Sequence, residues 1–149
     1  MFNFFKPLTD ETAFPSKPGS GQSARAQFMV LFNELKDALN GVSTQEAWVE
    51  PTLLNGWVIQ SPDNSHPAYM KDGLGFVHIK GYVANGTQDA VVFVLPIGYR
   101  PLRPESFISL SNNGTPAIGT VTITPNGDVS IAGGAIWFNL TIPPFLAEL

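Results

Sequence analysis

Five Asn-Gly pairs, at 40–41, 55–56, 85–86, 113–114 and 126–127, cut the chain into short pieces. Asn and Gly both tolerate the left-handed backbone of tight turns, so each pair marks a place where the chain can reverse. After the first pair, the runs between them are rich in β-branched and aromatic residues. Residues 57–60, 75–84, 90–95, 107–111, 118–124, 129–132 and 135–142 read as strands. Val121 and Ile123, then Val129 and Ile131, flank Pro125-Asn126-Gly127-Asp128, with Thr and Ser alternating on the other face. That pattern predicts a hairpin, and Asn-Gly is the preferred pair of a type I′ turn. Asn85-Gly86 likewise separates the alternation of 77–83 from the apolar run 91–95. Seven or eight short strands at this spacing predict a mainly β fold, a jelly-roll-like antiparallel β-sandwich over 42–149.

The chain ahead of these strands has a different grammar. Pro7, Pro15 and Pro18 punctuate residues 1–21, which predicts an extended arm. Phe2, Phe4, Phe5 and Phe14 are costly to leave in water. The arm is therefore either a frayed terminus or a segment that docks on a neighbouring subunit or another protein. Residues 22–41 predict one short α-helix, because Phe28, Leu31, Phe32, Leu35, Ala38 and Leu39 recur at spacings of three and four. Ser20 or Ser23 suits its N-cap and Gly41 its C-cap. A helix this short needs a partner. The pattern leaves two open: the body of its own chain, or symmetry mates meeting at Phe28, Leu31, Leu35 and Ala38.

Composition removes several functions. Of 149 residues 44% are hydrophobic and 13% charged, which fits one core-bearing domain with a surface of Ser, Thr, Asn, Gln and Gly. The formal net charge is −4 and the eight Lys and Arg are scattered, so a nucleic-acid partner is not expected. There is no cysteine, hence no disulfide, thiolate ligand or Cys nucleophile. The opening Met1-Phe2-Asn3-Phe4-Phe5-Lys6 lacks the basic region of a signal peptide, and no run is long enough to span a membrane. Synthesis in the cytoplasm and no membrane partner are the expectations.

The search for chemistry returns little. His66 and His78 fall in no metal-ligand spacing, and Asp63-Asn64-Ser65 reads as an Asx-type turn. There is no G-x-S-x-G elbow, no phosphate loop and no carboxylate pair that stands out. No catalytic residue, metal or cofactor is assigned. The aromatic side chains are the better candidates, because a ring face with a polar tip suits a saccharide. Trp48, Tyr69, Tyr82 and Tyr99 are the candidate binding residues, whereas Trp57 and Trp137 read as core.

Four motifs stand in order along residues 48–101, following Trp48. They are Leu53-Leu54-Asn55-Gly56-Trp57, Tyr69-Met70-Lys71-Asp72-Gly73-Leu74-Gly75-Phe76-Val77, Gly81-Tyr82-Val83-Ala84-Asn85-Gly86-Thr87 and Leu95-Pro96-Ile97-Gly98-Tyr99-Arg100-Pro101. The ordered set resembles the C-terminal domain of phage tail-fibre and baseplate receptor-binding proteins. The resemblance implies a small β-sandwich that assembles as a homotrimer on the virion exterior and contacts host cell-surface polysaccharide. It implies anchorage to other virion proteins, for which the arm is available. It leaves room for a structural virion role, as a head decoration, head fibre or tail-joining subunit, and more remotely for a depolymerase. Pro96, Gly98, Arg100 and Pro101 read as a scaffold turn, with Arg100 available for an ion pair between subunits.

Overall fold

A computed structural model describes residues 22–43, 45–133 and 136–148. The chain divides into two units, Met1–Thr44 and Gln45–Leu149. The arm at 1–21 lies outside the described residues. In the first unit, α1 (Gln22–Ser43) carries the apolar spacing noted above. It runs past Gly41, the expected stop. One glycine costs a helix only about 1 kcal/mol, which a helix already propagating can absorb.

The second unit is the mainly β, antiparallel sandwich that the turn signals predict. Its strands are β1 (Val58–Ile59), β2 (Ala68–Lys71), β3 (Phe76–Lys80), β4 (Tyr82–Ala84), β5 (Val91–Val94), β6 (Glu105–Asn112), β7 (Pro116–Ile123), β8 (Asp128–Ala132), β9 (Trp137–Asn139) and β10 (Phe145–Leu146). Seven form one sheet in the order β1-β4-β9-β6-β7-β8-β5, and three form a second in the order β10-β3-β2. The sheets curl into a half-barrel. Every strand pairing is antiparallel.

Alternation decides which side chains fill the space between the sheets. Val83, Phe138, Val121, Ile131, Val129 and Phe93 point in from the large sheet, and Tyr69, Val77, Ile79 and Phe145 from the small one. Tyr69 stacks on Phe93 (ring centroids 6.4 Å apart), and Phe107 meets Phe145 at the same separation. Each fully buried apolar side chain contributes about 2 kcal/mol through removal from water.

Three sequence expectations change. The run 75–84 is two strands in different sheets, because Gly81, at φ +108°, turns the chain from β3 into β4. A Cβ there would stand 2.4 Å from the carbonyl oxygen of His66, so only glycine fits. Asn85-Gly86 ends β4 without making a hairpin, since β5 pairs with β8 at the far edge. The predicted β7–β8 hairpin forms, with Val121 opposite Ile131 and Ile123 opposite Val129. Its turn is not type I′, because Gly127 has φ +90° while Asn126 keeps a negative φ. The Gly127 amide donates to the Thr124 carbonyl (2.9 Å), and Thr124 to that of Asp128 (3.0 Å). Pro125 at the second position favours this turn, with its left-handed glycine bulge, over the mirror-image type. The pair that does adopt two left-handed residues is Asn55-Gly56 (φ +52° and +80°), closed by Trp57 donating to Leu54.

Candidate functional site

The ordered motifs interlock. The Leu53–Trp57 segment lies along the edge of β5: the Leu54 amide donates to the Val92 carbonyl (2.8 Å), and the Asn55 side chain to that of Val91 (2.8 Å). The turn at 55–56 then drops Trp57 into the core, edge-on to Phe138 at 5.8 Å. Gly86 lies against the indole, where a Cβ would come within 2.0 Å of the ring.

The turn at 95–101 is built equally from inside the chain. The Arg100 side chain donates to the Leu95 carbonyl (2.9 Å), and Lys71 to that of Gly98 (3.0 Å). The Gly98 amide, at φ +87°, donates to the Glu148 carboxylate (3.0 Å). Pro101 bridges to Ala147, next to the strand that closes the small sheet. Leu95 anchors the start of the turn in the core, after which Pro96 stops β5. Arg100 thus bonds within the turn, and Lys71 reaches it from β2.

The four candidate binding aromatics are dispersed. Tyr69 is buried, sandwiched between Phe93 and an edge contact with Tyr99 (5.2 Å), because the register of β2 on β3 points it inward. Its ring is withdrawn from the surface. Tyr99 is half-buried, with its hydroxyl donating to the Glu46 carboxylate and the Lys71 ammonium 4.9 Å from its ring centre. The Glu46 bond, helped by burial, pushes the Tyr99 hydroxyl up to about 12. Trp48 is exposed on the other side of the small sheet, where the Lys80 ammonium sits 4.1 Å from its ring centre. That cation covers one ring face and contributes about 0.5–1 kcal/mol at an exposed site.

Tyr82 is placed differently. It faces outward from β4 and meets Trp137 of β9 edge to face, ring centres 5.8 Å apart at 70°. Both rings are half-buried. The Tyr82 backbone is fixed on both sides, donating to Ser65 (3.0 Å) and accepting from Gln60 (3.2 Å). Trp137, read from sequence as core, is therefore on the surface. In Trp137-Phe138-Asn139 it is Phe138 that points in, opposite Val83 and Ser111. The polar Asn139, two residues on, was the signal that Trp137 shares its outward face.

The outward positions of β1, β4, β9, β6 and β7 bear no charged side chain. Val58, Tyr82, Trp137, Leu110, Ile108 and Ile118 are its larger members. The face has an aromatic end at Tyr82 and Trp137 and an aliphatic end on β6 and β7.

His66 stands 3.2 Å from Glu50, and His78 3.0 Å from Asp72. Among the described residues no group of three or more His, Cys, Asp or Glu could hold a metal ion. In the separate N-terminal unit, Phe28, Leu31, Leu35 and Ala38 are exposed along α1, and the rings of Phe28 and Phe32 stack at 6.2 Å.

Two facing antiparallel sheets, joined where Gly81 turns the chain from β3 into β4, define a mainly β sandwich. Among solved structures the chain is similar to the crystal structure of the receptor binding protein (gp15) of Listeria phage PSA. The TM-score is 0.64 at 19% sequence identity, over 98% of this chain and 90% of that one. At that identity the likeness establishes the fold. No protein family and no curated protein sequence matches the chain.

Proposed function

We propose that this chain is a phage virion protein of the tail, acting as a receptor-binding or adhesion module that holds host cell-surface saccharide without chemical turnover. The observation that carries the reading is the shared fold, which extends over 98% of the chain to a protein whose role is receptor binding. The ordered motifs of residues 48–101 support it independently. Within that fold the aromatic end of the uncharged face is the contact. Tyr82 and Trp137 offer two ring surfaces at 70° to one another, with the Asn139 amide on the same side. Rings bind the apolar faces of a sugar, and an amide bonds its hydroxyls. A face without charge suits a neutral polymer better than an anionic one.

The test is binding of the purified, fluorescently labelled chain to host cells and to isolated cell walls. Tyr82→Ala and Trp137→Ala are each expected to lower retention about tenfold or more, with Tyr99→Phe as a control near wild type. A wild-type chain that binds neither cells nor walls defeats the receptor reading. Virions that adsorb normally with both rings replaced would instead assign the protein a structural place in the particle.

A further inference from the structure

Strand pairing sets an asparagine beside each of the two outward rings. Asn139 of β9 lies opposite Tyr82, and Asn112 of β6 lies opposite Trp137. All four side chains leave the same side of the larger sheet, because their neighbours Val83, Phe138 and Ser111 are fully buried on the other side. Each asparagine folds its side chain back onto the end of its own strand. The Oδ1 of Asn112 accepts from the Gly114 amide (2.7 Å), and that of Asn139 from the Thr141 amide (2.8 Å). A backbone N–H bonds only to the oxygen of a carboxamide, so these two contacts fix which way each amide faces. Both oxygens are engaged by the chain itself. The two Nδ2 groups have no partner among the described residues. The surface beside the rings therefore offers hydrogen-bond donors.

We infer that this surface selects a sugar carrying an acetyl group, as an acetamide or an acetate ester. The acetyl carbonyl accepts from Asn112 or Asn139 while its methyl lies on the Tyr82 or Trp137 ring. The inference rests on the receptor reading of the same rings and narrows its ligand. Donors call for acceptors. A sugar hydroxyl that accepts from an amide still has its own hydrogen to place, and the two asparagine oxygens beside it are already engaged. A carbonyl oxygen has no hydrogen to place. Phosphates and carboxylates are acceptors too, but no Lys or Arg stands at the outward positions of β1, β4, β9, β6 and β7 to neutralise them. A chain of net charge −4 also repels a polyanion. An acetyl group is the neutral acceptor that brings an apolar methyl to a ring face as well. A site arranged to bond that carbonyl discriminates against the same sugar without it, since its donors are then left unpaired.

Retention of the labelled full chain on chemically treated host cell walls tests it, at high ionic strength so that charge is screened. Mild alkali removes acetate esters and leaves acetamides, whereas hydrazine removes both. Retention is expected to fall about tenfold or more after one of these treatments. Loss with alkali assigns the ester. Loss with hydrazine alone assigns the acetamide, and acetic anhydride, which acetylates the freed amines, then restores retention. Asn112→Asp and Asn139→Asp each keep an oxygen for the Gly114 or Thr141 amide and remove only the donor. Each is expected to lower retention about fivefold with an unchanged circular dichroism spectrum. Wild-type retention that survives both treatments overturns the inference and leaves the receptor reading standing, as does a folded double variant retained like wild type. The wall treatments decide the matter even if the variants fail to fold. A wild-type chain that no untreated wall retains defeats the receptor reading, and this inference with it.

Discussion

A methyl group is the smallest addition a protein can suffer, and at Gly86 there is no room for it. A Cβ would stand 2.0 Å from the indole of Trp57, whose ring is pinned against Phe138. Gly86→Ala is therefore expected to cost about 3 kcal/mol in urea unfolding, the range for forcing atoms into a filled core. Asp72 makes a prediction of another kind. One carboxylate oxygen accepts from the Leu74 and Phe76 amides (both 2.9 Å), and the other stands 3.0 Å from His78 Nε2. These bonds, the His78 bond foremost, hold its carboxyl below the ordinary carboxylate range. A depressed folded value means that the stabilisation is present above the unfolded value of about 4 and is lost as pH falls through the lower one. Asp72→Asn should accordingly lower the unfolding midpoint at pH 7 and converge on wild type as pH falls through the lowered folded value. A constant gap between the two curves would place the effect outside the ionised carboxylate.

Among the elements, β9 is three residues long, yet it lies between β4 and β6 inside the larger sheet. Its one inward side chain, Phe138, is fully buried, braces Trp57 and covers Gly119. Phe138→Ala is expected to cost about 4 kcal/mol by denaturant titration. The β7–β8 hairpin was readable from sequence because every signal for it is local: two alternating strands and a proline-led turn. The order of β1, β4 and β9 was not, since strands of two or three residues carry no periodicity and their pairings join segments far apart in the chain. Trp137 was misplaced for the same reason, three residues being too few to show which phase of the alternation faces in. The break at Gly81 was hidden because the apolar pattern continues across it while the sheet changes. Tyr82 could be named as a surface aromatic, but not its partner, which comes from a strand 55 residues later by number.

At the scale of the molecule, composition and turn spacing sufficed for the fold class, because both follow from local chemistry. The proposed contact of Tyr82 with Trp137 was not legible, because it is assembled from β4 and β9 by a pairing that no local pattern encodes. Under the proposed function a half-buried pair of rings holds a sugar weakly, so retention on a polymer depends on how many such pairs are linked, which raises the local concentration of each for its ligand.

The return of β10 to β3 sets an order of events. Phe145 pairs with Val77 and Ala147 with Pro101, so the smaller sheet is closed by residues at 145–147. On a ribosome the β2–β3 and β6–β7–β8 hairpins can form as they emerge, since their partners are neighbours in sequence. The strand that Phe145 lays beside Val77 must wait until residues 145–147 have been made. Until then the β3 edge at Phe76 and Val77 is open to other strands, and misassembly there competes with closure by β10.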